Sequence, residues 1–269
     1  MDFHDYLDDK FGLKNFTDQN DVQALFVCDN GSHSWGYASP TSDWDIKFVY
    51  IHNDRNKYLG LNEPMQHMTR DMQPLQNVCY VGYDVRKFLG LLSKGNANAY
   101  EMVASNCIRR VFPTGKACQL IDFSFAVSRE NLDRILAHYA GLAGTTYKKS
   151  GEPTYKKWFY IVRPILAVEY IHMVKDLPPL NFLSLLDWSL KYNVIPMSLY
   201  YTLSVIHDRR SKGLEDDNTL NINELDEFCQ RKIKQWHDYL NDNKDTLYKG
   251  EKVLTNPETF DKMYRELIR

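Results

Sequence analysis

Two aspartates two positions apart, Asp43 and Asp45, open a run of strand-forming residues, and a Gly-Ser pair, Gly31-Ser32, lies ahead of them across a short polar turn. In a β-strand, residues i and i+2 face the same side. Asp43 and Asp45 therefore project together, while Trp44, Ile46 and Phe48 turn the other way into a core. Two carboxylates held side by side repel unless a cation sits between them. Mg²⁺ (or Mn²⁺), bound through one or two carboxylates plus phosphate oxygens, meets that need. Gly31 lets backbone approach a ligand closely and Ser32 adds a hydroxyl. If His33-Ser34-Trp35 opens a helical turn, its N–H groups form an anion site. Metal-binding carboxylates beside a phosphate cradle are the equipment for phosphoryl or nucleotidyl transfer from an NTP. Taken alone, Ser-Asp-Trp-Asp reads as an Asx turn at the head of a strand; the Gly-Ser element just upstream tips the reading towards chemistry. No GxxxxGK[ST] occurs, which excludes a P-loop.

These groups need elements to hold them. The apolar run Ala24 to Cys28 ends at Asp29-Asn30-Gly31 and predicts a buried strand feeding a turn. Asp45 to Ile51 is β-rich and predicts a second strand, and Val78 to Val81 a third, after a polar connection containing Pro64 and Pro74. From Asp84 the spacing turns helical, with Val85, Phe88, Leu89 and Leu92 on one face, Asp84 as N-cap and Gly95 as stop. From about residue 125 the texture is helical, with segments at 132–142, 155–174, 183–190, 197–206, 223–240 and 257–268. The fold class is α+β: a mixed domain, 1–120, then an all-helical domain, 121–269, meeting at a cleft.

A second constellation lies on the helix that opens near Tyr155. At about 100° per residue, Lys156, Tyr160 and Arg163 share a narrow face, with Lys157 adjacent. Across a cleft, the Lys and Arg would hold a triphosphate while Tyr160 stacks on the base; the plainer reading is a solvated basic face beside the apolar stripe Phe159, Val162 and Leu166. Pro164 inside this helix removes a backbone bond or kinks it. Asn96, Asn98 and Glu101 are candidate substrate contacts or caps, and His33 is a phosphate contact or a surface histidine. Lys148-Lys149 and Arg209-Arg210 are candidate polynucleotide contacts, although charged runs commonly serve solubility.

Composition narrows the classes. The 269 residues suffice for one large or two smaller domains. No apolar span of about 18 residues occurs, so no membrane helix is expected, and the acidic start MDFHDYLDDK lacks a signal-peptide core. Five scattered cysteines without a CxxC pair read as reduced thiols in a cytoplasmic protein. A net charge of -2 shows no global basic footprint, so any nucleic-acid contact is local. Nothing in the sequence sets the oligomeric state.

The stretch "GSHSWGYASPTSDWDIKFVY" resembles the Gly-Ser…Asp-x-Asp signature of the DNA polymerase β superfamily of nucleotidyltransferases, and more narrowly the RlaP (RNA-ligase-adjacent protein) or YcgL-like family. The resemblance continues through "KYLGL", "GYDVRKFLGLLSKGNANAYEM", "HYAGLAGTTYKK", "YKKWFYIVRPILA" and "LPPLNFLSLL", covering roughly residues 25 to 190. It implies a palm-like nucleotidyltransferase domain, a helical second domain, NTP–Mg²⁺ chemistry and a link to RNA repair. One departure stands out. Where the resemblance implies a third carboxylate on the third strand, this chain has Cys79, with Asp84 and Asp71 as nearby substitutes. The reading is thus a metal-dependent nucleotidyltransferase with Asp43, Asp45 and Asp84 as catalytic candidates. Its alternatives are a non-catalytic nucleotide- or RNA-binding module and an antitoxin-type enzyme that modifies a protein.

Overall fold

The computed structural model describes residues 12–59, 67–71, 78–106, 108–110, 114–149, 154–214, 220, 222–244 and 254–269. The N-terminal decapeptide, Pro64, Pro74 and part of "KYLGL" lie outside them. Two compact units emerge, drawn from discontinuous stretches of chain. One holds the described residues of Met1–Ser34, Asp43–Glu130 and Lys252–Arg269; the other holds those of Trp35–Ser42 and Asn131–Glu251. A contiguous split at residue 120 therefore gives way to two exchanges: a short loop goes to the helical unit, and the last helix goes to the sheet unit.

The sheet unit contains α1 (Leu13–Gln19), β1 (Val22–Asp29), β2 (Trp44–His52), β3 (His67–Asp71), β4 (Val78–Asp84), α2 (Val85–Ser93), α3 (Ala97–Ala104), β5 (Ile108–Arg110), α4 (Thr114–Glu130) and α10 (Pro257–Ile268). Its five strands run in the order β3-β4-β2-β1-β5. β2 and β4 are parallel, and the remaining pairs are antiparallel.

Strand alternation sorts the side chains. Ile46, Phe48 and Tyr50 join Leu13 and Phe16 of α1 in one core, with Trp44 packed against it. Val49 and Ile51, of the same parity as Asp45, enter a second core with Val85, Phe88, Leu89 and Leu92 of α2. The apolar face expected of α2 is thus the face it buries, and Gly95 adopts φ +66° just beyond its end. Met263 and Leu267 of α10 complete the second core. The Lys116 ammonium, donating to the Leu267 carbonyl at 2.8 Å, helps fasten that helix.

The helical unit contains α5 (Leu132–Lys149), α6 (Tyr155–Val174), α7 (Phe182–Lys191), α8 (Met197–Ser211) and α9 (Asn223–Asp242). α6 runs through Pro164 and buries residues all round its middle turns. The loop Trp35–Ser42 docks here through its own backbone. The Trp35 carbonyl accepts from the Phe182 N–H at 2.8 Å, and the Gly36 carbonyl accepts from His207 Nε2 at 2.7 Å. The Tyr37 carbonyl accepts from Arg210 Nε at 2.7 Å. Arg210 is buried, so it is an internal clamp and not a polynucleotide contact. Its neighbour Arg209 donates to the Tyr155 hydroxyl at 3.0 Å. Among the described residues, no helix is long and apolar enough to cross a membrane.

Candidate functional site

The Gly-Ser turn and the Asp-x-Asp strand start meet in the sheet unit. β1 and β2 are antiparallel neighbours with Asp29 opposite Ile46, so the end of β1 and the head of β2 lie side by side. Gly31 is pressed onto Asp45: a Cβ at position 31 would collide with the Asp45 carboxylate and lie 2.8 Å from its Cβ. No residue with a side chain fits there. Ser32 is buried in the same turn, while Asp43 and Asp45 are half-buried. His33 lies flat on Trp44, centroids 3.9 Å apart and planes 5° from parallel, so it fastens the turn to the strand.

The residue that organises this corner is Asp29, which sequence reasoning passed over as part of a turn. Its carboxylate is wholly buried. One oxygen accepts the Ser34 N–H at 2.7 Å and the other the Asp45 N–H at 3.3 Å, and the Gly31 N–H also bonds to it. Two of the turn's amides thus serve an internal carboxylate. Asn30 donates its N–H to the Asp45 carbonyl at 2.9 Å, and Ser105 Oγ donates to the Asp29 carbonyl at 2.6 Å while accepting from Ser34 Oγ at 3.0 Å. Burial pushes the Asp29 carboxyl up to about 6; the charge of Asp45 adds to the rise, and the three N–H bonds oppose it. The available signal was an acid ending an apolar strand two positions before Gly-Ser.

The expected third-acid position is where the register puts it. Cys79 of β4 pairs with Asp45 of β2, so the two share a rung. A thiol is a soft ligand and does not replace a carboxylate on a hard ion. Asp71 of β3 follows on the same rung by backbone register.

Asp84 is not brought to this edge. It pairs with Tyr50, five residues along β4 from Cys79, or about 16 Å at the rise of a strand. Its carboxylate is wholly buried. It accepts the Tyr58 hydroxyl at 2.6 Å and caps α2 through the Arg86 N–H at 2.8 Å. Asp84 thus holds a helix start, which corrects its assignment as a catalytic candidate.

In the helical unit, Arg163 is 4% exposed and stacks over the Trp35 ring at 4.2 Å. Tyr160 meets the same ring edge-on at 5.6 Å. Lys156 is half-buried and Lys157 exposed, both in the first turn of α6. Asn96 caps α3 through the Asn98 N–H at 2.9 Å, and Glu101 is buried.

Among the described residues, no group of three or more His, Cys, Asp or Glu side chains gathers to hold a metal ion. Two carboxylates completed by substrate phosphates and water fit the way Mg²⁺ is held, so Asp43 and Asp45 suit such an ion without a preformed cage.

A mixed sheet with a Gly-Ser turn after one strand, set against Asp-x-Asp at the head of the next, defines a polymerase β-like domain. The chain belongs to the RlaP family, described as an RNA repair pathway DNA polymerase beta family, whose model matches residues 8–254. It is 24% identical over 227 residues to "Uncharacterized protein YcgL" of Bacillus subtilis (strain 168), covering 83% of each chain. No solved structure matches it significantly.

Proposed function

We propose that the chain is a nucleotidyltransferase, dependent on NTP and on Mg²⁺ or Mn²⁺, that moves NMP onto an acceptor hydroxyl. An RNA end is the acceptor favoured by the family's described role. The observation that carries this reading is the fit of Gly31 against Asp45, which unites the two halves of the signature in one place. Asp43 and Asp45 would hold the metal, and the Gly31-Ser32 turn would receive the β,γ-phosphates. When bound, the ion neutralises phosphate charge and favours the attacking oxyanion. The acceptor hydroxyl gives up its proton to water and attacks the α-phosphorus, and the Pα–O bond to the β-phosphate breaks so that pyrophosphate leaves. Within the helical unit, Lys156 and Lys157 lie nearer the surface than Arg163, which instead supports Trp35.

Cys79 on the Asp45 rung favours a second reading: a module that binds nucleotide or RNA without transferring. Label transfer separates the two. Protein is incubated with Mg²⁺ or Mn²⁺ and each α-labelled NTP, with total RNA and with lysate protein. Label on RNA, lost in Asp43→Asn/Asp45→Asn, is the expected result; label on protein would give the acceptor role to a polypeptide. Nucleotide binding without transfer would establish the module reading.

A further inference from the structure

We propose that Asp29 is a positioning residue of the nucleotide site, required as a two-oxygen acceptor although it meets neither substrate nor metal. The inference rests on the reading above and deepens it. The Asp29 side chain is tied to both halves of the signature: Oδ2 takes the Ser34 N–H at 2.7 Å and Oδ1 takes the Asp45 N–H at 3.3 Å. Its backbone carbonyl is tied as well, through Ser105 Oγ at 2.6 Å and on to Ser34 Oγ at 3.0 Å. One carboxylate therefore ties the phosphate-facing turn to the metal-facing aspartate, beside the Asn30 N–H bond to the Asp45 carbonyl and the stacking of His33 on Trp44.

The chemistry of that carboxylate is specific. Both oxygens of an ionised aspartate accept, whereas an asparagine presents one acceptor and one N–H₂ donor. In Asp29→Asn, one of the two clamped N–H groups must face a donor, so either the turn or the Asp45 backbone is released. A buried acid beside another acid is also an unfavourable choice for fold stability alone. A merely structural position would be filled better by a neutral side chain.

The test measures nucleotide affinity directly, without turnover. Titration calorimetry is run on wild type and Asp29→Asn with Mn²⁺ and non-hydrolysable α,β-methylene analogues of the four ribonucleoside triphosphates. The expected result is at least a tenfold weaker Kd for Asp29→Asn, with a melting temperature equal to or above that of wild type. Ser105→Ala, which cuts only the backbone tie, should weaken binding less. Equal affinity in wild type and Asp29→Asn would overturn the positioning role and leave the proposed function standing. So would weaker binding that merely tracks a loss of folded protein. A wild type that binds no analogue would overturn the proposed function and this inference with it.

Discussion

Two strands of the same sheet end in a wholly buried aspartate, and the two ends have become different things. Asp29 closes β1 and Asp84 closes β4. Both accept backbone N–H groups, and burial raises the pKa of both. What separates them is company. Asp84 has the Tyr58 hydroxyl, and the nearby charges of His52 and Arg86 favour its ionised form. Asp29 has Asp45, whose negative charge works against it. Burial of an acid therefore does not by itself mark a functional position. An acid buried next to a second acid, at a corner where backbone amides converge, does.

The largest consequence is thermodynamic. The Asp29 carboxyl rises from 3.8 to about 6 in the fold, and at about 1.4 kcal/mol per unit this corresponds to about 3 kcal/mol. The folded-state pKa lies above the unfolded one, so the contribution is complete below pH 3.8 and is lost as pH rises through about 6. Asp84, also raised, acts in the same direction. Denaturant titrations of metal-free protein should show wild type losing stability between pH 4 and 6.5 relative to Asp29→Asn. Parallel pH profiles would mean that the two aspartates are not distinguished by charge.

A smaller effect, about 2 kcal/mol, is expected from Asp84→Ala, which uncaps α2 and leaves a buried Tyr58 hydroxyl without its acceptor. The loss should appear in the denaturation midpoint, while nucleotide affinity of the folded variant stays at the wild-type value. Weakened affinity would return Asp84 to the site.

Least in stability, and most pointed for chemistry, is Cys79→Asp. A third carboxylate on the Asp45 rung should lower metal-free stability by about 1 kcal/mol through like-charge repulsion. Mn²⁺ should restore it, and transfer should rise by about 100-fold if a general base was missing. Melting curves with and without Mn²⁺, read beside the label-transfer assay, check both arms. An unchanged rate would place the proton acceptor elsewhere.

The parts of this molecule legible in the sequence are those where burial imposes a period. β1, β2 and β4, the α2 face and the bounds of α6 follow from apolar spacing, whereas Asp43 precedes β2, so the two-residue repeat of a strand applies to Asp45 and not to it. β3 was missed because His67–Asp71 is polar and owes its conformation to pairing with β4 at the sheet edge. β5 is three residues long and carries no period at all. Trp35–Ser42 belongs to the helical unit because His207 and Arg210, far along the chain, hold its carbonyls. Basic residues invite an electrostatic reading, yet Arg163 and Arg210 are buried among rings and backbone. Asp29 shows in the sequence only as an acid ending an apolar strand, since its partners are amides that only the closed turn delivers.

The exchange of α10 has a consequence for how the protein is made. Met263 and Leu267 seal a core whose first strands leave the ribosome long before them, and synthesis proceeds at about 5–20 residues per second. Until that helix emerges, the part of this core that Met263 and Leu267 cover stays open. A fragment cut after the helical unit leaves that part of the core open to solvent.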